Sequence, residues 1–157
     1  MRRLLHTTRD RIKRAIQWMW AQEGSPGQRA RGLAAGVFCG SFPFFGLQMV
    51  LSVGLATLVR GNHFLAAAGT LISNPITYVP LYWFNYKVGC RLLGPGEGNI
   101  ALETLTRETL WAQGWEFTKR ILLGSSVVGM LLAIGGGLMA YRLFQHRDAG
   151  TAISGQP

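Results

Sequence analysis

Residues 32–59 read GLAAGVFCGSFPFFGLQMVLSVGLATLV, and residues 61–86 read GNHFLAAAGTLISNPITYVPLYWFNY. Neither stretch contains Lys, Arg, Asp or Glu, and Arg60 alone separates the two. A helix on the surface of a water-soluble protein needs a polar face, which these stretches do not provide. They therefore predict helices that lie in a lipid bilayer.

Each stretch is interrupted near its middle by a proline turn, Ser41-Phe42-Pro43 in the first and Ser73-Asn74-Pro75 in the second. Proline removes a backbone donor, and a broken helix in hydrocarbon needs polar partners for the groups that it frees. Two interrupted segments in succession are also the pattern of a transporter-like site. The candidate binding or structural motif consists of Pro43, Gln48, Asn62, Ser73, Asn74, Pro75 and Thr77.

A third apolar stretch covers residues 121–141, between Arg120 and Arg142, and would be roughly 32 Å long as a helix, enough for one span. We predict an all-α integral membrane protein with two proline-broken segments, re-entrant or kinked, and one C-terminal transmembrane helix. The expected organisation is a basic amphipathic helix in 1–24, a membrane domain in 30–145 with apolar segments 32–59, 64–86 and 121–141, and a disordered tail in 146–157.

The early stretches leave two topologies open. As one helix the first would reach about 42 Å, longer than the hydrocarbon core requires, so each is either a kinked, tilted span or a hairpin that returns to its own side. Asn62 lies outside in the first case and in the cytoplasm in the second. The excess of Lys and Arg before residue 32 places the N-terminus of a multi-pass membrane protein in the cytoplasm.

Small residues recur at helical spacing in two of the apolar stretches. On a helix, residues four apart share one face, and small residues there allow another backbone to approach closely. These faces predict helix packing through Gly32, Gly36 and Gly40 in the first stretch and through Gly129, Ala133 and Gly137 in the third.

The formal net charge is +9, and half of the sixteen Lys and Arg residues precede the first apolar stretch. Basic charge beside apolar segments favours anionic lipid at the membrane surface over nucleic acid as a partner. Residues 2–22 have the spacing of a basic amphipathic helix, which either lies at the headgroup level or packs on the protein itself.

We expect no enzymatic activity. No acidic residue falls within an apolar stretch, and the three histidines are far apart without metal-ligand spacing. No serine has an evident base partner, so no catalytic residue, metal site or cofactor is predicted.

The sequence resembles a known bacterial membrane family, the domain of unknown function 2062 (DUF2062). The resemblance rests on the residues from Gly32 to Gln48, on Arg60-Gly61-Asn62, on the residues from Gly69 to Thr77, on Pro80-Leu81-Tyr82 and on Gly89 through Gly94. It covers roughly residues 30–145 and implies a small inner-membrane protein of the bacterial envelope. The family supplies no catalytic residue that can be carried over.

Two functions remain open at this stage. The first is binding or translocation of an amphipathic anionic molecule, such as an envelope lipid or lipid carrier, which the paired breaks and basic flanks favour. The alternative is a non-transporting membrane scaffold or assembly partner, which would form homo-oligomers or bind other membrane proteins through its glycine-rich faces.

Overall fold

The computed structural model of the chain describes residue 17, residues 22–44, 46–94 and 107–154, the last range with side chains from 114 to 149. These residues form helices and short connections, and no strand occurs among them. The all-α prediction is confirmed. The helices are α1 (Pro26–Gly40), α2 (Leu47–Leu58), α3 (His63–Gly69), α4 (Tyr78–Leu93) and α5 (Arg107–Ser154), with a 3₁₀ helix over Thr70–Ile72 directly after α3. Apart from residue 17, which is helical, and residues 22–24, the predicted N-terminal helix lies outside the described residues.

The first helix starts with a capping box. The Ser25 hydroxyl accepts a hydrogen bond from the Gln28 amide at 3.3 Å, and the Gln28 side chain accepts one from the Ser25 amide at 3.0 Å. Pro26 occupies the first helical turn, where its missing N–H costs nothing. These local interactions fix the entry of α1 at one end of the molecule.

The long helix α5 is the axis of the fold, and α1 and α4 both pack against it in antiparallel orientation. A Cβ on Gly137 would lie 3.0 Å from that of Ala34 in α1, and a Cβ on Gly124 would lie 3.0 Å from the Gly89 amide nitrogen in α4. The residue order shows that α1 covers the C-terminal half of α5 and that α4 covers the part nearer its N-terminus. Together α1 and α4 form one interrupted partner for α5.

Close backbone contact joins α1 to α3. A Cβ on Gly36 would lie 2.7 Å from the Gly69 Cα, and a Cβ on Gly40 would lie 2.9 Å from the Thr70 Cα. A Cβ on Gly32 would overlap the Asn62 backbone in the same way. The three glycines follow one another in the same order as their partners, so α1 and α3 run parallel.

The first apolar stretch forms a helical hairpin. Between α1 and α2 the chain leaves the helical conformation around Pro43, and Gly46 adopts a φ of 83° just before α2. Arg31 on α1 then donates a hydrogen bond to the Arg60 carbonyl oxygen at the far end of α2, at 3.2 Å. The two ends of this stretch therefore lie side by side.

The second apolar stretch bends at Asn74-Pro75 without reversing. α3 runs parallel to α1, and α4 continues in that direction along α5, because Asn85 contacts Ser41 at the end of α1. Pro75 lies in the turn between the 3₁₀ helix and α4. The first stretch therefore folds back on itself, whereas the second continues in one direction.

The C-terminal region differs from the prediction. Residues 146–154, expected to belong to a disordered tail, continue α5. The helix is held there by an ion pair between Asp148 and the buried Arg29 of α1, whose guanidinium also lies 4.8 Å from the centre of the Phe144 ring. α5 also extends the other way to Arg107, so that part of the segment before Arg120 is helical.

Among the described residues, one helix is long and apolar enough to cross a membrane, and it covers Gly114–Ala149 of α5. Two further apolar helices, Leu47–Leu58 and His63–Ile72, are shorter. The sequence alone predicted three apolar membrane segments. Helix length directly supports only the C-terminal segment among the described residues.

We predict that Gly36→Leu destabilises the fold while Gly54→Leu on α2 does not. A Leu at position 36 must displace the α3 backbone, whereas a Cβ at Gly54 meets nothing within 4 Å. Overpacking of this kind costs about 1–3 kcal/mol or more. The free energy of unfolding in detergent micelles measures the difference, and equal values for the two variants would contradict the α1–α3 contact.

Candidate functional site

A buried group of polar side chains joins α1, α4 and α5 at the point where α1 ends. The Asn85 amide nitrogen donates to the Ser41 carbonyl oxygen and to the Ser125 hydroxyl, each at 2.9 Å. The Tyr82 hydroxyl donates to the Phe42 carbonyl oxygen at 3.1 Å. We call Ser41, Tyr82, Asn85 and Ser125 the polar junction. Its hydrogen bonds satisfy carbonyls that the end of α1 leaves without helical partners.

Asn85 is the centre of the polar junction, and it was absent from the motif predicted by sequence. Ser41, Asn85 and Ser125 are each 0% exposed. The Asn85 side-chain oxygen has no hydrogen-bond partner among the described residues. The available signal was an amide that follows the apolar and aromatic run 78–84 and precedes Gly89 by four residues, which places Asn85 and Gly89 on the α4 face that meets α5.

Two of the predicted motif residues meet at the tips of the interrupted segments. The Ser73 hydroxyl donates to the Gln48 side-chain oxygen at 3.3 Å and thereby links the turn after the 3₁₀ helix to the start of α2. Pro43 lies in the connection between α1 and α2, just before Gln48. The fold thus brings Pro43, Gln48 and Ser73 to the same end of the hairpin, next to the turn around Pro75.

Asn74 and Thr77 shape the turn around Pro75. The Asn74 side-chain oxygen accepts from the amides of Ile76 and Thr77 at 2.9 and 3.1 Å, and the Thr77 hydroxyl accepts from the Asn74 amide at 3.0 Å. The Thr77 hydroxyl also donates to the Ile72 carbonyl oxygen at 2.5 Å. These bonds account for most of their polar atoms and explain how the chain turns between the 3₁₀ helix and α4.

Asn62 lies at the other end of α1 and α3, away from the remaining motif residues. Its side-chain oxygen accepts from the Leu65 amide at 2.9 Å and caps α3, while its amide nitrogen donates to the Glu23 carbonyl oxygen at 3.0 Å. The Asn62 backbone amide donates to the Gln28 carbonyl oxygen at 2.9 Å. Asn62 therefore ties the start of α3 to the start of α1.

A groove of about 650 Å³ runs between α1, α2 and α5, and its lining is almost entirely apolar. We call it the apolar groove. Its walls include Ala30, Ala34, Ala35, Leu55, Ala133 and Gly137. The small side chains of α1 and α5 also let these two helices meet at Ala34 and Gly137. The volume of the groove lies within the range of small-molecule sites in proteins.

The two ends of the apolar groove differ in chemistry. One end is formed by Arg31, Val59 and Tyr141, next to the connection between α2 and α3, and the other by Phe38 and Met130. Arg31 supplies the only formal charge in the lining. The apolar groove therefore has a cation at one of its two ends. The sequence had identified Ala133 and Gly137 only as packing residues.

A model of one protein family matches residues 9–150, and that family is described as "Uncharacterized protein conserved in bacteria (DUF2062)". The chain belongs to the DUF2062 family. The match includes α1 to α4 and most of α5, so the polar junction and the apolar groove both lie within it. No curated protein and no solved structure matches the chain.

In this DUF2062 chain, the glycines predicted to pack helices contact other helices of the same chain. Gly36 faces α3, and Gly129 faces Ser41, whose Cβ is 3.0 Å from where a Gly129 Cβ would stand. Within the described residues, no group of three or more His, Cys, Asp or Glu side chains comes together. The features with distinct chemistry are therefore the polar junction and the apolar groove.

We predict that Ser125→Ala lowers the free energy of unfolding by about 1 kcal/mol and that Ser126→Ala changes it little. Ser125 accepts the Asn85 amide across two helices, whereas the Ser126 hydroxyl donates to the Leu122 carbonyl oxygen of its own helix at 2.9 Å. Thermal unfolding of the two variants in the same detergent provides the comparison. A larger effect at Ser126 would show that the polar junction does not hold α4 against α5.

Proposed function

We propose that the chain is a membrane-embedded protein that binds an amphipathic anionic molecule, such as an anionic lipid, in the apolar groove. The observation that carries the proposal is the combination of an apolar lining with Arg31 at one mouth. An acyl chain matches the lining, and a phosphate matches a guanidinium, which donates to phosphate oxygens in a fixed fork. We propose no catalytic step.

Exposed apolar side chains support the membrane setting. Val50 on α2 and Leu131 on α5 are each 66% exposed, and Leu58 is 81% exposed. Contiguous apolar surface of this kind is costly in water, at about 25 cal/mol for each Å². Others on the same two helices are Leu47, Met49, Leu51, Met130, Ile134, Leu138 and Met139. Hydrocarbon around α2 and α5 removes that cost.

The positions of charged residues along α5 support a specific depth. Residues 121–141 correspond to about 32 Å of helix, close to the thickness of the hydrocarbon core. Lys119, just before this stretch, lies 6.0 Å from the centre of the Trp115 ring, and Lys87 on the neighbouring α4 lies 5.3 Å from that of Trp83. Aromatic and basic side chains together are typical of a membrane interface.

In this placement the α1–α2 hairpin is re-entrant, and the segment from α3 through α4 crosses to the opposite face. Arg31 and Arg60 lie together at the face where α5 leaves the membrane, since both are close to the Tyr141 end of the groove. Half of the sixteen Lys and Arg residues of the sequence precede residue 32, and this excess favours a cytoplasmic location for the face that carries Arg31. We propose the bacterial inner membrane, because outer-membrane proteins span as β-barrels and this chain is helical.

The topology predicts which introduced cysteines share a side of the membrane. In a Cys39→Ser, Cys90→Ser background, Glu23→Cys and His63→Cys should react with an impermeant maleimide from the cytoplasmic side, and Leu92→Cys from the opposite side. All three positions are exposed. Reaction of positions 23 and 63 from opposite sides would contradict the re-entrant hairpin.

Lipid binding predicts a specific effect of removing the charge at the mouth of the groove. Arg31→Gln should weaken binding of phosphatidylglycerol roughly tenfold, because a charge-assisted hydrogen bond contributes about 1.5–3 kcal/mol. Arg142→Gln is the matched control, since it removes an exposed Arg that does not line the groove. Native mass spectrometry of detergent-released protein titrated with phosphatidylglycerol measures both affinities, and equal weakening by the two changes would contradict the proposal.

The scaffold alternative remains a prediction, and the structure sharpens what it requires. Gly36 and Gly129 already contact other parts of the same chain. A scaffold would therefore need another face for its partners, such as the outer surface of α2 or α5, and Gly36→Leu would report on folding before it reported on association.

A further inference from the structure

We infer that the apolar groove holds the acyl chain of an anionic lipid from one leaflet only, the leaflet on the Arg31 side, and that the protein retains this lipid without passing it across the bilayer. This inference rests on the function proposed above and narrows it, because binding and translocation were both open. It follows from the length of the groove, from the close contact of α4 with α5 past its Phe38 end and from how Arg31 is held.

The length of the groove corresponds to one leaflet. Its lining extends from Gly27 to Phe38 on α1 and from Tyr141 to Met130 on α5. Either run of helix measures about 16 Å at 1.5 Å per residue. The hydrocarbon core is about 30 Å thick, so the groove reaches from one interface to about the midplane.

Aromatic rings cluster next to the Phe38 end of the groove. The Phe38 ring meets that of Phe42 edge to face, with centroids 5.2 Å apart, and Phe42 stacks on Phe44 at 5.7 Å. Directly behind them, Ser41 packs against Gly129 and accepts from Asn85 through its carbonyl oxygen. An acyl chain that entered from Arg31 would reach this aromatic cluster where the lining ends, at Phe38 and Met130.

Past the Phe38 end of the groove, contact between α4 and α5 removes the space that a continued path along α5 would need. There α4 replaces α1 as the partner of α5, and the two approach at Gly89 and Gly124. A Cβ on Gly89 would lie 2.9 Å from the Arg120 Cα, and one on Gly124 would lie 3.0 Å from the Gly89 amide nitrogen. The part of α5 that packs against α1 thus carries the apolar groove. The part of α5 that packs against α4 is in direct backbone contact with that helix.

Arg31 is positioned at the mouth and keeps donors for a headgroup. One guanidinium nitrogen donates to the Arg60 carbonyl oxygen at 3.2 Å, which holds the side chain beside the end of α2. A guanidinium carries five N–H donors, so this single bond leaves others for a phosphate. Tyr141 lies across the same mouth from α1. The polar end of the lipid therefore belongs at this interface.

The binding arm uses phosphatidylglycerol with a nitroxide on its acyl chain, in vesicles of phosphatidylcholine and phosphatidylglycerol that contain the full chain. We expect an immobilised component in the electron paramagnetic resonance spectrum, its loss in Ala34→Phe, which fills the groove, and its retention in Gly135→Phe, where a Cβ meets nothing within 4 Å. Nitroxide-labelled phosphatidylcholine should show at least fivefold less of that component. If Ala34→Phe does not fold, Arg31→Gln in the same vesicles takes its place, with Arg142→Gln as its control.

The transport arm uses the same vesicles with a fluorescent phosphatidylglycerol in both leaflets and dithionite added outside. We expect the same fraction of fluorescence to be lost with and without protein. Groove-dependent immobilisation with no added loss supports the inference. Immobilisation together with loss of the inner-leaflet signal would leave lipid binding intact and overturn the one-leaflet inference. The absence of groove-dependent immobilisation would overturn both the one-leaflet inference and the proposed lipid binding. We would expect that result if residues 1–21 or a second copy of the chain filled the groove.

Discussion

Backbone contact at glycine is the interaction on which this structure depends. In hydrocarbon, helices gain little from burying apolar side chains against each other, so association relies on close packing and hydrogen bonds. α1 meets α3 at Gly36, and α4 meets α5 at Gly89 and Gly124. A side chain at any of these positions would separate the helices, and the hairpin and the groove would both lose their geometry.

Polar interactions hold the two ends of α1, and the middle of α1 lines the apolar groove. At its start the buried Arg29 pairs with Asp148 and lies over Phe144, and just past its end Ser41 belongs to the polar junction with Asn85. Between these ends the face that α1 turns to α5 carries alanines. These alanines line the apolar groove together with residues of α2 and α5, and the proposed lipid site rests on this lining.

Several features follow from local sequence, and others do not. Helices end near Pro43 and Pro75 because proline lacks a donor, and the apolar run 121–141 forms part of α5 because its length and composition suit a span. The extension of α5 to Ser154 was not predictable, since it accompanies an ion pair between residues 119 positions apart in the sequence. Asn85 was overlooked for the same reason: its partners are on α1 and α5. Asn62 belonged to the same predicted motif as the residues around Pro43 and Pro75, and only the parallel course of α1 and α3 shows that it caps α3 at the opposite end.

The central claim is that the outward apolar faces of α2 and α5 contact hydrocarbon. Nitroxides at Val50→Cys and Leu131→Cys, in nanodiscs and in a background without Cys39 and Cys90, test it through their collision rates with oxygen and with a water-soluble nickel complex. A label at the exposed Glu23 is the reference in water. The account predicts frequent collisions with oxygen and rare collisions with nickel at positions 50 and 131. Nickel collisions as frequent as those at position 23 would contradict it.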